Sequence, residues 1–195
     1  MRFAGKKIGF ALTGSLCTLR ETLKYIEDFI REGAEVYPLV SPAVKNINSR
    51  FGQGQEWLKK VKEITGKEPI TLIEEAEPLG PGKLLDVLVV APCTGNTLAK
   101  LANGITDTAV LMGIKAHLRN QRPVVLAIST NDGLGINARN IGYLLSVKNI
   151  YFVPFGQDNP TEKVNSLVAR MDLLLDTTYL ALQGKQIQPL LISYV

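Results

Sequence analysis

The chain has 195 residues, and its 22 Lys and Arg outnumber its 18 Asp and Glu by four, so the formal net charge is +4. Hydrophobic residues make up 46% and charged residues 21%, a composition typical of globular proteins that excludes a disordered or fibrous chain. Basic and acidic residues are interleaved, so no basic stripe indicates a nucleic-acid interface. The length predicts one domain over 1–195, with a tail from about residue 184.

The few cysteine and histidine residues limit the chemistry further. Cys17 and Cys93 cannot build a disulfide framework and predict free thiols in a reducing compartment. Together with His117 they fall short of the four ligands of a closed structural zinc site, so no metal is expected. The longest uncharged stretch, 87–99, is shorter than the ~20 residues that span a bilayer. We therefore expect a cytoplasmic protein without membrane contact.

Short apolar runs alternate with amphipathic segments along the chain. In chain order, the predicted elements are strand 8–12, helix 16–31, strand 34–40, an irregular segment 43–52, a helix from about 57 that Gly66 closes, strand 70–73, loop 77–83, strand 84–91, helices 96–103 and 107–119, strand 123–128, helix 137–147, strand 151–154 and helix 160–182. The last helix is predicted from Asn159 as its N-cap and Pro160 at its first position. The apolar segment 110–114 and the tail predict a surface that packs against another copy of the chain.

The order of these elements predicts the fold class. Strands and helices alternate from end to end, which is typical of one α/β domain with a doubly wound parallel sheet. Strand 84–91 is almost continuously apolar, as expected of a strand covered on both faces. In such sheets the ligand binds outside the carboxyl ends of the strands. The candidate site therefore comprises the loops 13–15, 41–42, 91–97 and 129–137.

The loop Thr13-Gly14-Ser15 separates the first strand from a helix. Glycine lets a ligand approach the backbone closely, and a helix N-terminus offers free N–H groups with a partial positive charge. We predict a phosphate-binding loop here, with an ordinary strand-to-helix turn as the alternative. The spacing fits neither a Walker A loop nor a dinucleotide fingerprint.

The segment after the fourth predicted strand offers a second loop of this kind. Thr94, Gly95, Asn96 and Thr97 place two hydroxyls, a glycine and an amide directly before a helix. Two such loops at one sheet edge favour an anion site more than either alone, although two ordinary capped helices remain the alternative.

Two further loops contribute polar residues at the same edge. Ser41 ends the second strand and is by itself more typical of a turn, and Asn131 lies in a glycine-rich loop after the fifth strand. An Asn amide can bind a heterocycle edge or a carboxylate, and a mobile surface loop is the alternative. Lys45 and Arg139 are possible partners for an anionic ligand.

A family resemblance follows from these two glycine loops. Residues 91–107 (APCTGNTLAKLANGITD) resemble the AP-x-[ST]-A-N-T-[IL]-A-K-x-A-x-G-x-x-D signature of the homo-oligomeric flavin-containing cysteine decarboxylases, a flavoprotein family. The loop 13–15 is similar to the family's phosphate loop. The resemblance implies a three-layer Rossmann-like, flavodoxin-like sheet, bound FMN, and homo-oligomers such as trimers or dodecamers. The residues that it assigns to FMN are Gly14, Ser15, Ser41, Thr94, Asn96 and Thr97.

Departures from the family pattern include the catalytic positions. The decarboxylases carry a catalytic His where this chain has Asn46, and an Asn cannot act as a general base near neutral pH. Of the family's P-x-M-N-x-x-M-W loop, segment 128–135 keeps only Asn131, which we predict as the catalytic-site residue that orients the flavin or a substrate carboxylate.

Within the family the chain looks most like the flavoprotein component of a two-component synthase. That likeness implies a flavin-linked oxidoreductase acting on a small dicarboxylate, with a partner that binds NAD(P). A flavin-dependent decarboxylase and a non-catalytic binding component remain the alternatives.

Overall fold

A mixed sheet lies at the centre of the chain. The structure is a computed structural model that describes residues 1–46, 48 and 52–193, without the side chains of Leu16 and Cys17. The strands in these ranges are β1 Lys7–Leu12, β2 Glu35–Val40, β3 Val87–Cys93, β4 Val124–Thr130, β5 Ile150–Phe152, β6 Phe155–Gly156 and β7 Leu167–Ala169.

The parallel strands lie side by side in the order β2-β1-β3-β4, and β5 pairs in parallel with the first half of β4. Ile8 of β1 lies opposite Val36 of β2 and Val87 of β3. Every residue of β3 is buried, as the apolar run 84–91 predicts for a strand covered on both faces.

Helices flank this sheet. Their bounds are α1 Leu16–Arg31, α2 Pro42–Asn46, α3 Gly54–Thr65, α4 Ile73–Ala76, α5 Gly95–Ala102, α6 Ala109–Arg119, α7 Ala138–Leu145 and α8 Leu174–Ala181. Helix α1 packs against α8 and α3, and α6 packs against α4 and against strands β2 and β3. The arrangement confirms the predicted flavodoxin-like α/β architecture. No helix in the described part of the chain is long and apolar enough to span a membrane.

The prediction of one long helix over 160–182 is wrong. Asn159 does accept the backbone N–H of Glu162 at 3.0 Å, as an N-cap would, but the turn ends at Ser166. Strand β7 follows and pairs antiparallel with the end of β4, where Ser129 lies opposite Val168. Because β5 covers only residues 124–126 of β4, the end of β4 would otherwise be an unpaired edge, and this pairing overrides the local helix signal. Only Leu174–Ala181 is α-helical.

Three shorter predictions also need correction. Instead of strand 70–73 there is a single bridge between Ile70 and Leu39, followed by α4, whose Glu75 accepts the backbone N–H groups of residues 71 and 72. Within the predicted irregular segment 43–52, residues 43–46 belong to α2, and residues 47 and 49–51 lie outside the described part. The predicted loop 77–83 begins with one turn of 3-10 helix at Glu77–Leu79.

The expectation that residues 110–114 pack against another copy is also wrong. Val110, Leu111 and Ile114 are buried within this chain, on the face of α6 that covers the sheet. The tail pairs with Phe155, whose backbone N–H donates to the carbonyl of Leu190 at 3.1 Å, but Leu191 is 69% exposed, so packing of the tail against another copy stays a prediction.

Candidate functional site

Two adjoining clefts open at the carboxyl ends of the parallel strands. The first, of about 580 Å³, lies between the loops that follow β1, β3 and β4 and the segment before β7. The second, of about 330 Å³, lies between the loops after β1, β2 and β3. Gly14 and Thr94 line both clefts, so the loops after β1 and β3 form a rim that the two clefts share.

Hydrogen bonds hold these two loops together. The buried Thr13 hydroxyl donates to the carbonyl of Pro92 at 2.6 Å and accepts the backbone N–H of Thr94 at 3.0 Å. The hydroxyls of Ser15 and Ser129 lie 2.9 Å apart, which joins the loop after β1 to β4 as well. The shared rim is therefore fixed by the chain itself before any ligand binds.

The start of α5 makes the rim suitable for an anion. The Thr94 hydroxyl accepts the backbone N–H of Thr97 at 3.4 Å and lies 3.1 Å from the Thr97 hydroxyl. Helices α1 and α5 both begin at the rim. The first-turn amides of a helix have no partner within the helix and carry a partial positive charge. A phosphate can be bound there by amides and hydroxyls without a cationic side chain.

Two glycines keep the backbone of the rim close to its neighbours. A Cβ atom on Gly14 would lie 2.7 Å from the Cβ of Ala43, which is closer than real Cβ atoms approach. A Cβ atom on Gly95 would lie 2.4 Å from the Thr130 hydroxyl and 2.6 Å from the Asn137 amide. With the neighbours that this chain has, a side chain at either position would force adjacent atoms to move, and the reason is contact rather than an unusual φ.

A polar network supports the loop that carries Asn131. Thr130 donates a hydrogen bond to Asp132, the Asn137 amide donates to both Asp132 oxygens at 3.0 and 2.9 Å, and Asn140 donates to Asn137 at 2.8 Å. The bond from Thr130 holds the pKa of Asp132 below its usual value; burial opposes this shift and Asn137 adds to it. An ionised Asp132 therefore stabilises the loop through these hydrogen bonds, while Asn131 is exposed in the first cleft.

Ser41 offers a buried polar group to the second cleft. The residue is 7% exposed and lines the second cleft, and its hydroxyl has no hydrogen-bond partner among the described residues. A buried hydroxyl without a partner costs about 1–3 kcal/mol, so native proteins rarely leave one unless a ligand or water supplies the bond.

Each residue that the sequence predicts to bind FMN, and the predicted catalytic residue Asn131, lies in at least one of the two clefts. The first is lined by Gly14, Ser15, Thr94 and Asn131, and the second by Gly14, Ser41, Thr94, Asn96 and Thr97. Their binding roles stay predictions, but the geometry that those roles require is present.

Other candidates from the sequence lie elsewhere. The exposed Asn46, at the end of α2, is not among the described residues that line either cleft. The Lys45 ammonium donates to the Thr71 hydroxyl at 3.1 Å. Arg139 is exposed on α7 and does not line either cleft as described.

One wall of the first cleft is not predicted from the sequence. Asp158, Lys163 and Ser166 line it from the segment between β6 and β7. The capping signal at Asn159 assigned this segment to a helix, and no periodic pattern marks it as a cleft wall. Burial alone would raise the pKa of Asp158. Hydrogen bonds from Ser166 and Lys163 outweigh that effect, so the pKa of Asp158 lies below its usual value.

The buried thiol and imidazole are unsuited to catalysis at these clefts. Burial raises the pKa of the Cys93 thiol far above neutrality, so it is not a thiolate nucleophile. Burial and the nearby charge of Arg122 lower the pKa of His117 to about 4. His117 lies near Asp86 and Pro123, at the start of β3 and β4 and therefore at the opposite sheet edge. The described residues contain no cluster of His, Cys, Asp or Glu that could hold a metal ion.

Comparison with known proteins defines the class. The chain belongs to the flavoprotein family, whose model matches residues 2–172. It is 56% identical over 189 residues to the B subunit of dipicolinate synthase from Bacillus subtilis (strain 168), a match that covers 97% of this chain and 94% of that protein. The crystal structure of the same synthase component from Bacillus halodurans C is 52% identical, with a TM-score of 0.91 and full coverage of both chains.

More distant structures share the fold alone. The FMN-dependent cysteine decarboxylase SpaF is 19% identical, with a TM-score of 0.67 over 93% of this chain and 99% of that one.

Proposed function

We propose that this chain binds FMN across the two clefts and acts as the flavoprotein component of dipicolinate synthase. The buried Ser41 hydroxyl, which has no hydrogen-bond partner among the described residues, carries the proposal because it lies beside a rim of amides and hydroxyls suited to a phosphate. Membership in the flavoprotein family and the high identity to two proteins named as the B subunit of dipicolinate synthase support it.

Each rim residue has a role in this proposal. Gly14 and Gly95 keep the rim backbone accessible, since a side chain at either position would collide with its neighbours. Ser15, Thr94 and Thr97 present hydroxyls to the phosphate, and Asn96 adds an amide. The Ser41 hydroxyl donates a hydrogen bond to the ribityl chain or the phosphate, which supplies the partner that it lacks among the described residues. Asn131 orients the flavin or a substrate carboxylate from the loop after β4.

The reaction that we propose is the oxidation of dihydrodipicolinate to aromatic dipicolinate in sporulating bacteria. The ring loses two electrons and two protons, formally a hydride and a proton. Bound flavin supplies a two-electron acceptor. The protein's own residues bind and orient: the rim holds the cofactor, and the polar side chains of the first cleft receive the substrate.

Reoxidation requires a second acceptor, so the proposal includes a partner. The A subunit of dipicolinate synthase would supply it through an NAD(P) site of its own. We also propose a cytoplasmic location and a homo-oligomer, either a trimer or a dodecamer, whose size native mass spectrometry would measure.

A turnover assay tests the reaction. Dipicolinate formation is followed with this chain alone, with the NAD(P)-binding partner alone and with both proteins, each with and without FMN. The proposal predicts the highest rate with both proteins and FMN. If addition of this chain with FMN leaves the rate of the partner unchanged, the proposed catalytic role is wrong, and a non-catalytic binding component is the remaining interpretation.

Cofactor binding is tested separately. Gly14→Val places a branched side chain where even a Cβ atom meets Ala43 at 2.7 Å. We expect the variant to remain folded by circular dichroism but to lose FMN during gel filtration. Retention of FMN at the wild-type level would contradict the assignment of this loop.

A further inference from the structure

The segment between β6 and β7 brings a lysine and an aspartate into the first cleft. Lys163 is the one basic residue among the described residues that line this cleft, whose other polar groups are hydroxyls, amides and the carboxylate of Asp158. The lysine Nζ lies 3.3 Å from the Asp158 Oδ2 atom. Ser166, which is buried, bonds the same carboxylate.

Backbone hydrogen bonds fix the segment that carries this pair. The backbone N–H of Lys163 donates to the carbonyl of Asn159 at 2.8 Å, and that of Ser166 donates to the carbonyl of Lys163 at 2.9 Å. The side chain of Gln157 donates to the carbonyl of Val164 at 2.8 Å and closes the segment. The lysine therefore projects from an ordered turn.

The segment is also joined to the loop of Asn131. The backbone N–H of Leu134 donates to the carbonyl of Asn165 at 3.0 Å, and Leu167 packs so closely on Gly133 that a Cβ atom there would lie 2.8 Å away. Asn131 and Lys163 consequently reach the same cleft from two connected loops, one with an amide and the other with an ammonium group.

The ion pair leaves the lysine able to bind a ligand. The side chains of Lys163 and Asp158 are 55% and 31% exposed, and ion pairs at such positions contribute at most about 1 kcal/mol. An ammonium group has three donors, and the distance to Asp158 describes one bond. An incoming carboxylate can therefore bind Lys163 without a large cost for breaking the existing pair.

We propose that Lys163 binds a carboxylate of the small molecule that occupies the first cleft, and that Asp158 competes with that carboxylate for the ammonium group and limits the net charge of the cleft. This inference rests on the proposed function for the identity of the ligand, a small dicarboxylate. A charge-assisted bond to Lys163 and an amide bond to Asn131 suit a ligand with two acceptor groups better than one with a single carboxylate.

Opposite effects of the two partners distinguish this role from a structural one. Removal of the lysine charge leaves Asp158 to repel a dicarboxylate, so binding weakens. Removal of the aspartate charge eliminates that repulsion, so binding strengthens. If the pair only held the segment in place, both changes would act in the same direction or not at all.

The test uses isothermal titration of dipicolinate into the full-length protein, with and without FMN. The variants are Lys163→Gln, Asp158→Asn and, as a matched control, Lys59→Gln, because Lys59 is 79% exposed on α3, away from both clefts. We expect Lys163→Gln to raise the dissociation constant about tenfold and Asp158→Asn to lower it, with the control equal to the wild type. Lys163→Arg should bind more tightly than Lys163→Gln.

Several results would overturn the inference: no dipicolinate binding by the wild type, equal affinities for Lys163→Gln and Lys59→Gln, or weaker binding in Asp158→Asn. Urea midpoints measured on each variant separate lost binding from lost folding. FMN uptake is measured first and independently. Failure to bind FMN counts against the proposed function, and titration of the FMN-free protein still tests Lys163.

Discussion

Replacement of Gly95 by alanine adds one Cβ atom and tests how tightly the start of α5 packs against the loop after β4. The added Cβ would lie 2.4 Å from the Thr130 hydroxyl, 2.6 Å from the Asn137 amide and 2.8 Å from the Asp132 carboxylate. These atoms are ends of side chains, but they bond one another in the network below Asn131, so none can move without breaking a hydrogen bond. The substitution should displace the loop after β4 from the start of α5.

The expected magnitude is the balance of two effects. Overpacking, together with the loss of a buried hydrogen bond, costs about 1–3 kcal/mol each. Alanine gains at most about 1 kcal/mol over glycine within a helix, and less at the first helical position that Gly95 occupies. We therefore expect the free energy of unfolding to fall by about 2–5 kcal/mol, and FMN affinity to fall because the rim that the two clefts share has moved.

The assay is urea unfolding of the apo protein followed by fluorescence titration with FMN. Gly142→Ala is the matched control, since this glycine is also helical, is exposed and has open space where its Cβ would lie. The control should gain about 0.5–1 kcal/mol from helix propensity and bind FMN normally. An equal gain in Gly95→Ala, with unchanged FMN affinity, would refute the proposed contact.

Three further substitutions report on other groups. Ser41→Ala removes a buried hydroxyl that has no hydrogen-bond partner among the described residues, so it should stabilise the apo protein by about 1 kcal/mol in urea unfolding. The same change should weaken FMN binding, and a loss of apo stability would contradict this reasoning. Thr13→Val leaves the Pro92 carbonyl and the Thr94 amide without their side-chain partner and should cost about 2 kcal/mol in the same assay, whereas a cost near zero would show that the loops after β1 and β3 are held by other contacts. Folding lowers the pKa of His117 from 6.5 to about 4, so the unfolded chain takes up a proton at a higher pH than the folded chain does. The free energy of unfolding should therefore fall by at most about 3 kcal/mol as the pH drops from 6.5 to about 4. Unfolding measured against pH in His117→Gln should show a shallower slope, and an unchanged slope would contradict the buried neutral imidazole.

The parallel half of the sheet and the loops at its carboxyl edge could be predicted from the sequence. Strand β3 has a nearly unbroken apolar run, and parallel strands align their carboxyl ends, so the loops at 13–15 and 94–97 were expected to meet. The Thr13 hydroxyl that joins them could not be predicted, because its partners lie 79 and 81 residues away in the chain.

The segment between β6 and β7, which forms one wall of the first cleft, could not be predicted from the sequence, for a physical reason. Asn159 does form the N-cap hydrogen bond that its sequence context predicts. The helix does not continue, because Leu167–Ala169 pairs as a strand with the end of β4. A short strand of this kind depends on its partner rather than on its own residues. Lys163 therefore falls within the predicted helix 160–182, and its local sequence does not mark it as a cleft residue.

The central claim is that amides and hydroxyls of the rim bind the phosphate of FMN, and titration with two flavins tests it most directly. FMN and riboflavin share the ring and the ribityl chain and differ only in the phosphate. Flavin fluorescence is measured as each is titrated into the apo protein under one set of conditions. We predict that FMN binds at least about 100-fold more tightly than riboflavin, because several charge-assisted hydrogen bonds to the phosphate are lost with riboflavin. Equal affinity for the two flavins would contradict it.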